Sequence, residues 1–366
     1  MASSPTTVFD LDRGALAALV EGEPLYRVEQ IWTGLYRQLT PVVEISNLPA
    51  SLRNDLADRA PEALTEMTRS TTDAGDTVKF LWSLHDGATV ETVLMYSPDR
   101  VTVCISTQAG CAMNCSFCAT GQAGFERQLS VGEIVEQVIR AAREATPRRV
   151  SNVVFMGMGE PLANLDATIA AAHRFHHDLG ISARQLTIST VGLIPGIRRL
   201  ADEPLPVTLA VSLHAARDQL RNELVPINQR YPLRDLAAAC REYFDAKGRR
   251  LSFEWAMIAN VNDTPRDLDE LARYARDLRA HVNLIPLNPT PGYPVIGTTA
   301  DDVRQFCQGL IAAGVNATVR RTRGTDIDAA CGQLRTAHQP SATSHRRPSD
   351  RVPVQLRARN DSDQNG

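Results

Sequence analysis

Three cysteines, Cys111, Cys115 and Cys118, stand in a C-x3-C-x2-C spacing that limits the chemistry they can perform. Three thiolates this close together can bind three irons of a cubane 4Fe–4S cluster and leave the fourth iron without a protein ligand. Ferredoxins that only transfer electrons use four cysteines, so their clusters are coordinatively closed. An iron with an open position can bind a substrate. The spacing therefore predicts a cluster that takes part in a reaction.

Zinc is the alternative metal for these cysteines. A structural zinc site needs four ligands, usually supplied as two C-x2–4-C pairs. No second pair lies near the motif, and the next histidine, His173, is far downstream. The ligand count thus favours an iron–sulfur cluster, and zinc remains the competing metal.

The motif, with Phe117 before its last cysteine, resembles that of the radical S-adenosylmethionine (SAM) superfamily. The resemblance implies that the open iron chelates the amino and carboxylate groups of SAM. It also implies that the reduced cluster cleaves the sulfonium to give a 5′-deoxyadenosyl radical.

Composition sets wider bounds on the protein. With 366 residues and 43% apolar content, the chain can bury one large core and a small accessory domain. Seven cysteines in so long a chain do not indicate a disulfide scaffold. The amino terminus lacks an apolar signal region and no apolar stretch reaches membrane-spanning length. We therefore expect a soluble, cytoplasmic protein without membrane partners, and nothing in the chain demands more than a monomer.

The net charge of −3 gives no global signature of nucleic-acid binding. Local basic clusters do occur, although each alone is more typical of a solvated surface or helix end than of an RNA contact. These clusters are Arg148-Arg149, Arg198-Arg199, Arg249-Arg250 and Arg320-Arg321 with Arg323.

Four regions follow from the patterning along the chain. Residues 1–70 are expected to form a small helical domain, whose second helix carries Leu52, Leu56 and Leu64 at helical spacing. Residues 71–100 are expected to form a β-hairpin linker around a turn at Asp86-Gly87. Residues 101–335 alternate strands and helices. Residues 336–366 contain almost no apolar side chains and predict a disordered tail.

The alternating region predicts parallel βαβ units. Six such repeats fit a partial (β/α)6 barrel better than an open sheet, and the superfamily resemblance implies the same α/β fold. The predicted strands are residues 101–106, 152–157, 185–190, 207–214, 251–260 and 282–288, with a last short strand at 317–321.

Polar and glycine-rich segments follow several of these strands, where barrel enzymes carry their chemistry. Gly157 and Gly159 could let the backbone approach the methionine part of SAM, and Glu160 could take a hydrogen bond or charge contact. The other candidate SAM contacts are Ser189, Ser212, Leu213, His214 and Asn288. Alone, the glycine segment would be read as a βα turn and His214 as a core histidine.

Longer blocks of the chain resemble the radical SAM RNA adenine methyltransferases. The resemblance covers roughly residues 11–334 and includes two thiols outside the cluster motif, Cys104 and Cys331, in the expected order. It implies methylation of C2 of an adenine in 23S ribosomal RNA and in some transfer RNAs. Further blocks that carry it are Tyr26–Trp32, Asp86-Gly87, Gly157–Pro161, Ser212–His214, Asn288–Gly292 and Arg321–Gly332.

The family's mechanism assigns roles to these thiols. By this resemblance, the Cys331 thiolate takes a methyl group from one SAM. The radical from a second SAM activates that methyl, which adds to the adenine and leaves a protein–RNA adduct. Cys104 then attacks the Cys331 sulfur and releases the product as a disulfide forms, which a reductant must restore. Glu91 occupies the family's proton-acceptor position, although by its neighbours it is an ordinary strand glutamate.

The resemblance also implies an electron donor for the cluster, and an RNA-binding surface formed by the N-terminal helices and the basic clusters. Reaching an adenine inside folded RNA would require splaying the base out. Methylation at C8 of the same kind of adenine stays open, because no single residue separates the two reactions. Radical activation of a protein substrate also stays open, but it would not need Cys104 and Cys331. A third alternative is a non-catalytic RNA-binding module that binds zinc and tolerates the loss of Cys331.

Overall fold

A computed structural model describes residues 6–287 and 296–320, together with Ile327 and Leu334. Three helices open the chain: α1 (Arg13–Leu19), α2 (Tyr26–Tyr36) and α3 (Ala50–Arg59). The Asp12 side chain caps α1 by accepting a hydrogen bond from the Ala15 amide at 2.7 Å. Apolar side chains at helical spacing, such as Ile31 and Leu35, are buried between these helices and the rest of the protein.

The prediction that Leu64 belongs to the second helix is wrong. Helix α3 ends at Arg59, two residues before Pro61, because a proline disfavours helical geometry in the residue before it. The chain then enters strand β1 (Thr65–Thr72), whose threonines favour extended structure.

The hairpin prediction is confirmed. Strands β2 (Thr77–Ser83) and β3 (Thr89–Tyr96) pair antiparallel around a turn in which Gly87 adopts φ +83°. Strand β1 extends the hairpin by pairing with β2, and β3 pairs antiparallel with β4 (Val101–Cys104). The hairpin is therefore continuous with the barrel sheet. The division of the chain at residues 70 and 100 stays a proposal.

The remaining elements form the barrel and its surrounding helices. They are β5 (Gln108–Gly110), α4 (Ala119–Ala123), β6 (Phe125–Gln128), α5 (Val131–Ala145), β7 (Asn152–Phe155), α6 (Leu165–His177), β8 (Leu186–Thr190), α7 (Ile194–Asp202), β9 (Thr208–Ser212), α8 (Asp218–Leu224), α9 (Leu233–Lys247), β10 (Ser252–Met257), α10 (Pro265–Asp277), β11 (His281–Pro286), α11 (Ala300–Ala312) and β12 (Asn316–Val319).

The main sheet has the order β1-β2-β3-β4-β7-β8-β9-β10-β11-β12, and its strands are parallel from β4 onward. Among the described residues, β1 and β12 form the two edges of this sheet and do not pair with each other, so the barrel is partial, as predicted. In the described part of the chain, no helix combines the length and apolar character needed to cross a bilayer.

Side chains alternate between the two faces of the barrel strands. One face is apolar and buried, with Ile188, Leu209, Phe253 and Val282 in a single large core. The other face lines the lumen. Closed (β/α)8 barrels fill this space with branched apolar side chains. Here the lumen at the amino-terminal ends of the strands is lined by polar residues such as Asn152 and Thr208.

Candidate active site

The cysteine loop begins where β5 and β6 pair as a small antiparallel sheet. The Cys111 amide donates a hydrogen bond to the Gly124 carbonyl at 2.7 Å. A Cβ atom on Gly110, which has φ +74°, would lie 2.0 Å from that same carbonyl oxygen. Only glycine permits this approach, so Gly110 fixes the point at which the loop leaves the sheet.

The three predicted cluster ligands line one cavity of about 1030 Å³, including space open to solvent, at the carboxyl ends of the barrel strands. Burial raises the pKa of Cys111 to about 12 and raises that of Cys115 well above its usual range. A metal bound to these sulfurs would replace the buried protons. Three thiols converging on one cavity fit the three protein ligands of an open 4Fe–4S cluster.

The loop rests on an apolar base. Phe117 packs edge-on against His214, with 4.5 Å between ring centroids, and the Ser116 amide donates to the Leu224 carbonyl at 3.1 Å. Cys115 and Phe117 share a small apolar cluster with Leu220 and Leu224 of α8. Helix α8 therefore packs against the cysteine loop and supports it.

The glycines after β7 are required by protein packing. A Cβ on Gly157 would lie 2.6 Å from the Ile105 carbonyl oxygen, and a Cβ on Gly159 would lie 2.6 Å from Cβ of Gln108. These glycines therefore let the turn approach β4 and the start of the cysteine loop. Both residues also line the cavity, and their approach to SAM stays a proposal.

Glu160 ties two turns of the cavity wall together. Its carboxylate accepts hydrogen bonds from the Leu162 amide at 3.0 Å and from the Val191 amide, after β8, at 2.8 Å. Burial raises the pKa of Glu160 to about 7, against the effect of these amides. The side chain thus positions the turn that follows β8, the strand whose Ser189 lines the cavity.

His214 is held in a left-handed conformation, with φ +57°. Its Nδ1 accepts a hydrogen bond from the Ala256 amide at 3.0 Å, so the neutral ring carries its proton on Nε2. Burial lowers the pKa of His214 to about 3. Ser212 and His214 line the cavity, whereas the Leu213 side chain is fully buried and its carbonyl accepts from Arg221.

Sequence reasoning missed Arg221, which is fully buried in α8. Its guanidinium donates to the carbonyls of Val191 (2.7 Å), Ser212 (3.2 Å) and Leu213 (3.0 Å). It also donates to Oδ1 of Asn228 at 2.8 Å. Arg221 thereby fastens the carboxyl ends of β8 and β9 to each other. Nothing in the local sequence distinguishes it from an exposed helical arginine.

Cys104 and Glu91 lie on a neighbouring part of the sheet. Cys104 is buried at the end of β4, opposite Val93 of β3. Directly paired residues share a face, and so do residues two apart, which places Glu91 and Cys104 on the same face as diagonal neighbours. Glu91 is buried, and its carboxylate lies 3.4 Å from Nζ of Lys79.

Leu334, the last residue that the structure describes, also reaches the cavity. Leu334 is buried and lines it, and the Thr120 hydroxyl donates to the Leu334 carbonyl at 2.5 Å. Cys331 and Asn288 lie outside the described residues. The structure thus brings together Cys111, Cys115, Cys118, Gly159, Glu160, Ser189, Ser212 and His214 on one cavity wall.

Comparison with known proteins identifies the family. A model of the Radical SAM superfamily matches residues 105–275. A probable dual-specificity RNA methyltransferase RlmN from Salinispora tropica is 50% identical over 354 residues, covering 93% of this chain and 95% of the relative. One from Mycolicibacterium paratuberculosis is 50% identical over 344 residues, covering 90% and 94%. The crystal structure of a radical SAM methyltransferase from Sphaerobacter thermophilus has 49% identity and a TM-score of 0.88, covering 90% of this chain and 99% of that one.

The fold, the cysteine cavity and these likenesses define a radical SAM enzyme, which uses a 4Fe–4S cluster and SAM. Within that superfamily the chain belongs to the RlmN family of dual-specificity RNA methyltransferases.

Proposed function

We propose that this enzyme methylates C2 of an adenine in 23S ribosomal RNA and in certain transfer RNAs. The observation that carries the proposal is the convergence of the three cluster cysteines, the turn at Gly157–Pro161 and Leu334 on one cavity. When bound, the cluster and two molecules of SAM per turnover supply a methyl group and a 5′-deoxyadenosyl radical.

Cys331 is the proposed methyl carrier. It precedes Leu334 by three residues, and three residues of extended chain span at most about 11 Å. The hydrogen bond from Thr120 holds Leu334 at the cysteine cavity, which supports a carrier role for a thiol three residues away. The Cys331 thiolate is the nucleophile that accepts the methyl group. The same sulfur then holds the carbon that becomes attached to the adenine.

Cys104 is the proposed resolving thiol. Its attack on the Cys331 sulfur forms a disulfide and releases the methylated adenine, and an external reductant returns both residues to thiols. Cys104 is the last residue of β4 and lies two residues after Thr102, which lines the barrel lumen. The two side chains therefore share a face of the sheet, which supports this role.

Glu91 is the proposed proton acceptor for the hydrogen lost from C2. It shares a sheet face with Cys104, which supports its acting on the same adenine. The ion pair with Lys79 restrains its carboxylate.

The test is nucleoside mass spectrometry on unmodified large-subunit RNA and tRNA, treated with anaerobically reconstituted protein, SAM and a reductant. We expect 2-methyladenosine from the wild type and none from Cys331→Ala. Cys240→Ala is the matched control, because Cys240 is buried in α9 within the apolar core. A Cys104→Ala variant should accumulate the protein–RNA adduct. An 8-methyladenosine product would move the target carbon, and normal turnover by Cys331→Ala would contradict the carrier role.

A further inference from the structure

A second cavity, called the lower cavity, opens at the amino-terminal ends of the barrel strands, opposite the cysteines. Its entrance is the lower mouth. The cavity encloses about 1780 Å³, including space open to solvent. Polar side chains from the first residues of successive strands line it: Thr102, Asn152, Thr187, Thr208, Ser252, His281, Asn283 and Thr318. Met156, Glu254 and Arg320 line both cavities, so the two meet inside the barrel.

The distance between the cavities is short. Ser252 lines the lower cavity and Ala256, four residues further along β10, lines the cysteine cavity. At about 3.3 Å per residue, these levels are about 13 Å apart. A group that enters the lower mouth therefore approaches the space below the cysteine loop without passing through the packed core.

Arginines surround the lower mouth. Arg249 and Arg250, which precede β10, line it together with Arg100, which precedes β4. Arg148 and Arg149 are exposed in the loop before β7, at the same end of the barrel. We call these five residues the arginine rim.

The charge of this rim is mostly uncompensated. Arg100 lies 3.7 Å from the Asp99 carboxylate, but the other four make no ion pair within the described part of the chain. Arg149 donates instead to the Leu179 and Gly180 carbonyls, Arg148 to the Ser97 carbonyl, and Arg249 to the Thr208 hydroxyl. Bonds to neutral acceptors hold these guanidinium groups in place and leave their charge available to an anion.

We propose that the target nucleotide enters the barrel through this lower mouth while the arginine rim holds the flanking phosphates of the RNA. Arginine is suited to phosphate recognition, and an enzyme that modifies a base must splay it out of its stack. Polar side chains in the lumen can form hydrogen bonds with the donors and acceptors on the edges of a base. This inference rests on the proposed function and adds the direction of approach and the residues that determine it.

An acidic protein, such as an electron donor, is the other class of partner that an arginine rim could bind. The cluster cysteines lie at the opposite end of the barrel, which disfavours electron delivery from this side. A protein docked on the rim would also have no use for the lumen behind it. The combination of uncompensated charge with an open polar cavity therefore favours RNA.

The first test measures binding of a fluorescein-labelled fragment of large-subunit rRNA to the cluster-loaded protein by fluorescence anisotropy. We expect Arg249→Glu/Arg250→Glu to raise Kd at least about tenfold and to flatten the plot of log K against log salt by about 1.4, or about 0.7 for each phosphate contact. Arg234→Glu/Arg266→Glu is the matched control. It makes the same charge change at the first turns of α9 and α10, where acidic residues are favourable, and should leave Kd within about twofold.

A second variant tests entry into the lumen separately from phosphate binding. Thr187→Trp narrows the mouth and leaves the contacts of the five arginines unchanged, because Thr187 lines the lower cavity without bonding to any of them. With 2-aminopurine in place of the target adenine, unstacking of the base gives a rise in fluorescence. We expect Thr187→Trp to bind RNA within about threefold of the wild type but to lose most of this rise.

The outcomes separate the inference from the proposed function. If wild-type protein forms methyladenosine but the rim variant binds RNA with unchanged affinity and salt dependence, the inference fails and the function stands. An equal loss in the control pair would also overturn it, as would a rim variant impaired only in accepting electrons from an acidic donor protein. A wild type that neither binds RNA nor methylates it would contradict the proposed function itself.

Discussion

Arg221 shows how much of the cavity wall depends on one side chain. Its guanidinium makes four hydrogen bonds to the carboxyl ends of β8 and β9 and to Asn228, in a fully buried position. Burial lowers the pKa of Arg221, and these oriented carbonyl groups help to stabilise the charged form. The planar fork of arginine suits several fixed acceptors at once, and lysine cannot reproduce it.

We predict that Arg221→Lys lowers the free energy of unfolding by about 3 kcal/mol or more, because several buried acceptors lose their donor. The measurement is urea unfolding under anaerobic conditions, followed by circular dichroism. Arg198→Lys serves as the control, since Arg198 lies on the surface with Glu242, and its midpoint should not shift. Equal midpoints for both variants would show that the buried fork contributes nothing special.

At the scale of elements, the cysteine loop depends on the geometry at Gly110. An added methyl group there would collide with the Gly124 carbonyl and disrupt the bond from the Cys111 amide. We predict that Gly110→Ala lowers the iron content after anaerobic reconstitution at least about threefold. Gly87→Ala is the control, because Gly87 has a positive φ similar to that of Gly110 but open space where the added Cβ would lie. It should cost about 1–3 kcal/mol of stability and leave iron binding unchanged.

Helix α5 holds the segment that leads into β1 through Glu136. Its carboxylate accepts from the Ala63 amide at 2.5 Å and the Leu64 amide at 3.2 Å. Burial raises the pKa of Glu136 from 4.5 to about 7. The folded state therefore binds more protons than the unfolded state between these values, and this residue's contribution to stability is lost as pH rises through that window.

We predict that wild-type protein loses up to about 3 kcal/mol of stability relative to Glu136→Gln between pH 5 and pH 8, since each pKa unit corresponds to about 1.4 kcal/mol. Urea unfolding of both proteins at several pH values measures the difference. A difference that is constant with pH, or that grows in favour of the wild type as pH rises, would show that Glu136 is already charged at pH 5.

The success of sequence reasoning differs between kinds of element. Strand β8, in which Leu186 and Ile188 alternate with polar residues, and long helices such as α9 were predicted closely. The spacing of their apolar residues has the period of a strand or of a helix. Strand β1 was missed, since seven of its eight residues are polar and its partner β2 supplies the extended pairing. The roles of Glu160 and Arg221 depend on atoms far apart in the chain, which no local pattern records.

At the scale of the whole molecule, the N-terminal helices and the barrel share one core. Trp32 of α2 donates from Nε1 to the Asp178 carboxylate at 2.9 Å, next to the end of α6. The guanidinium groups of Arg13 and Arg174 lie 4.2 and 4.5 Å from its ring centroid. Buried apolar residues run without interruption from Val8 in the first region to Leu310 in α11.

Because the core is continuous, we predict a single cooperative thermal transition. Trp32→Phe removes the hydrogen bond to Asp178 and should lower stability by about 1–3 kcal/mol. Trp255→Phe, in β10, is the matched variant: it removes the bond from Nε1 to the Asn262 carbonyl, 3.2 Å away in the barrel. Both should move the same transition, recorded by circular dichroism and intrinsic fluorescence. If Trp32→Phe instead split off an early transition that Trp255→Phe left in place, the N-terminal helices would be an independently folding domain.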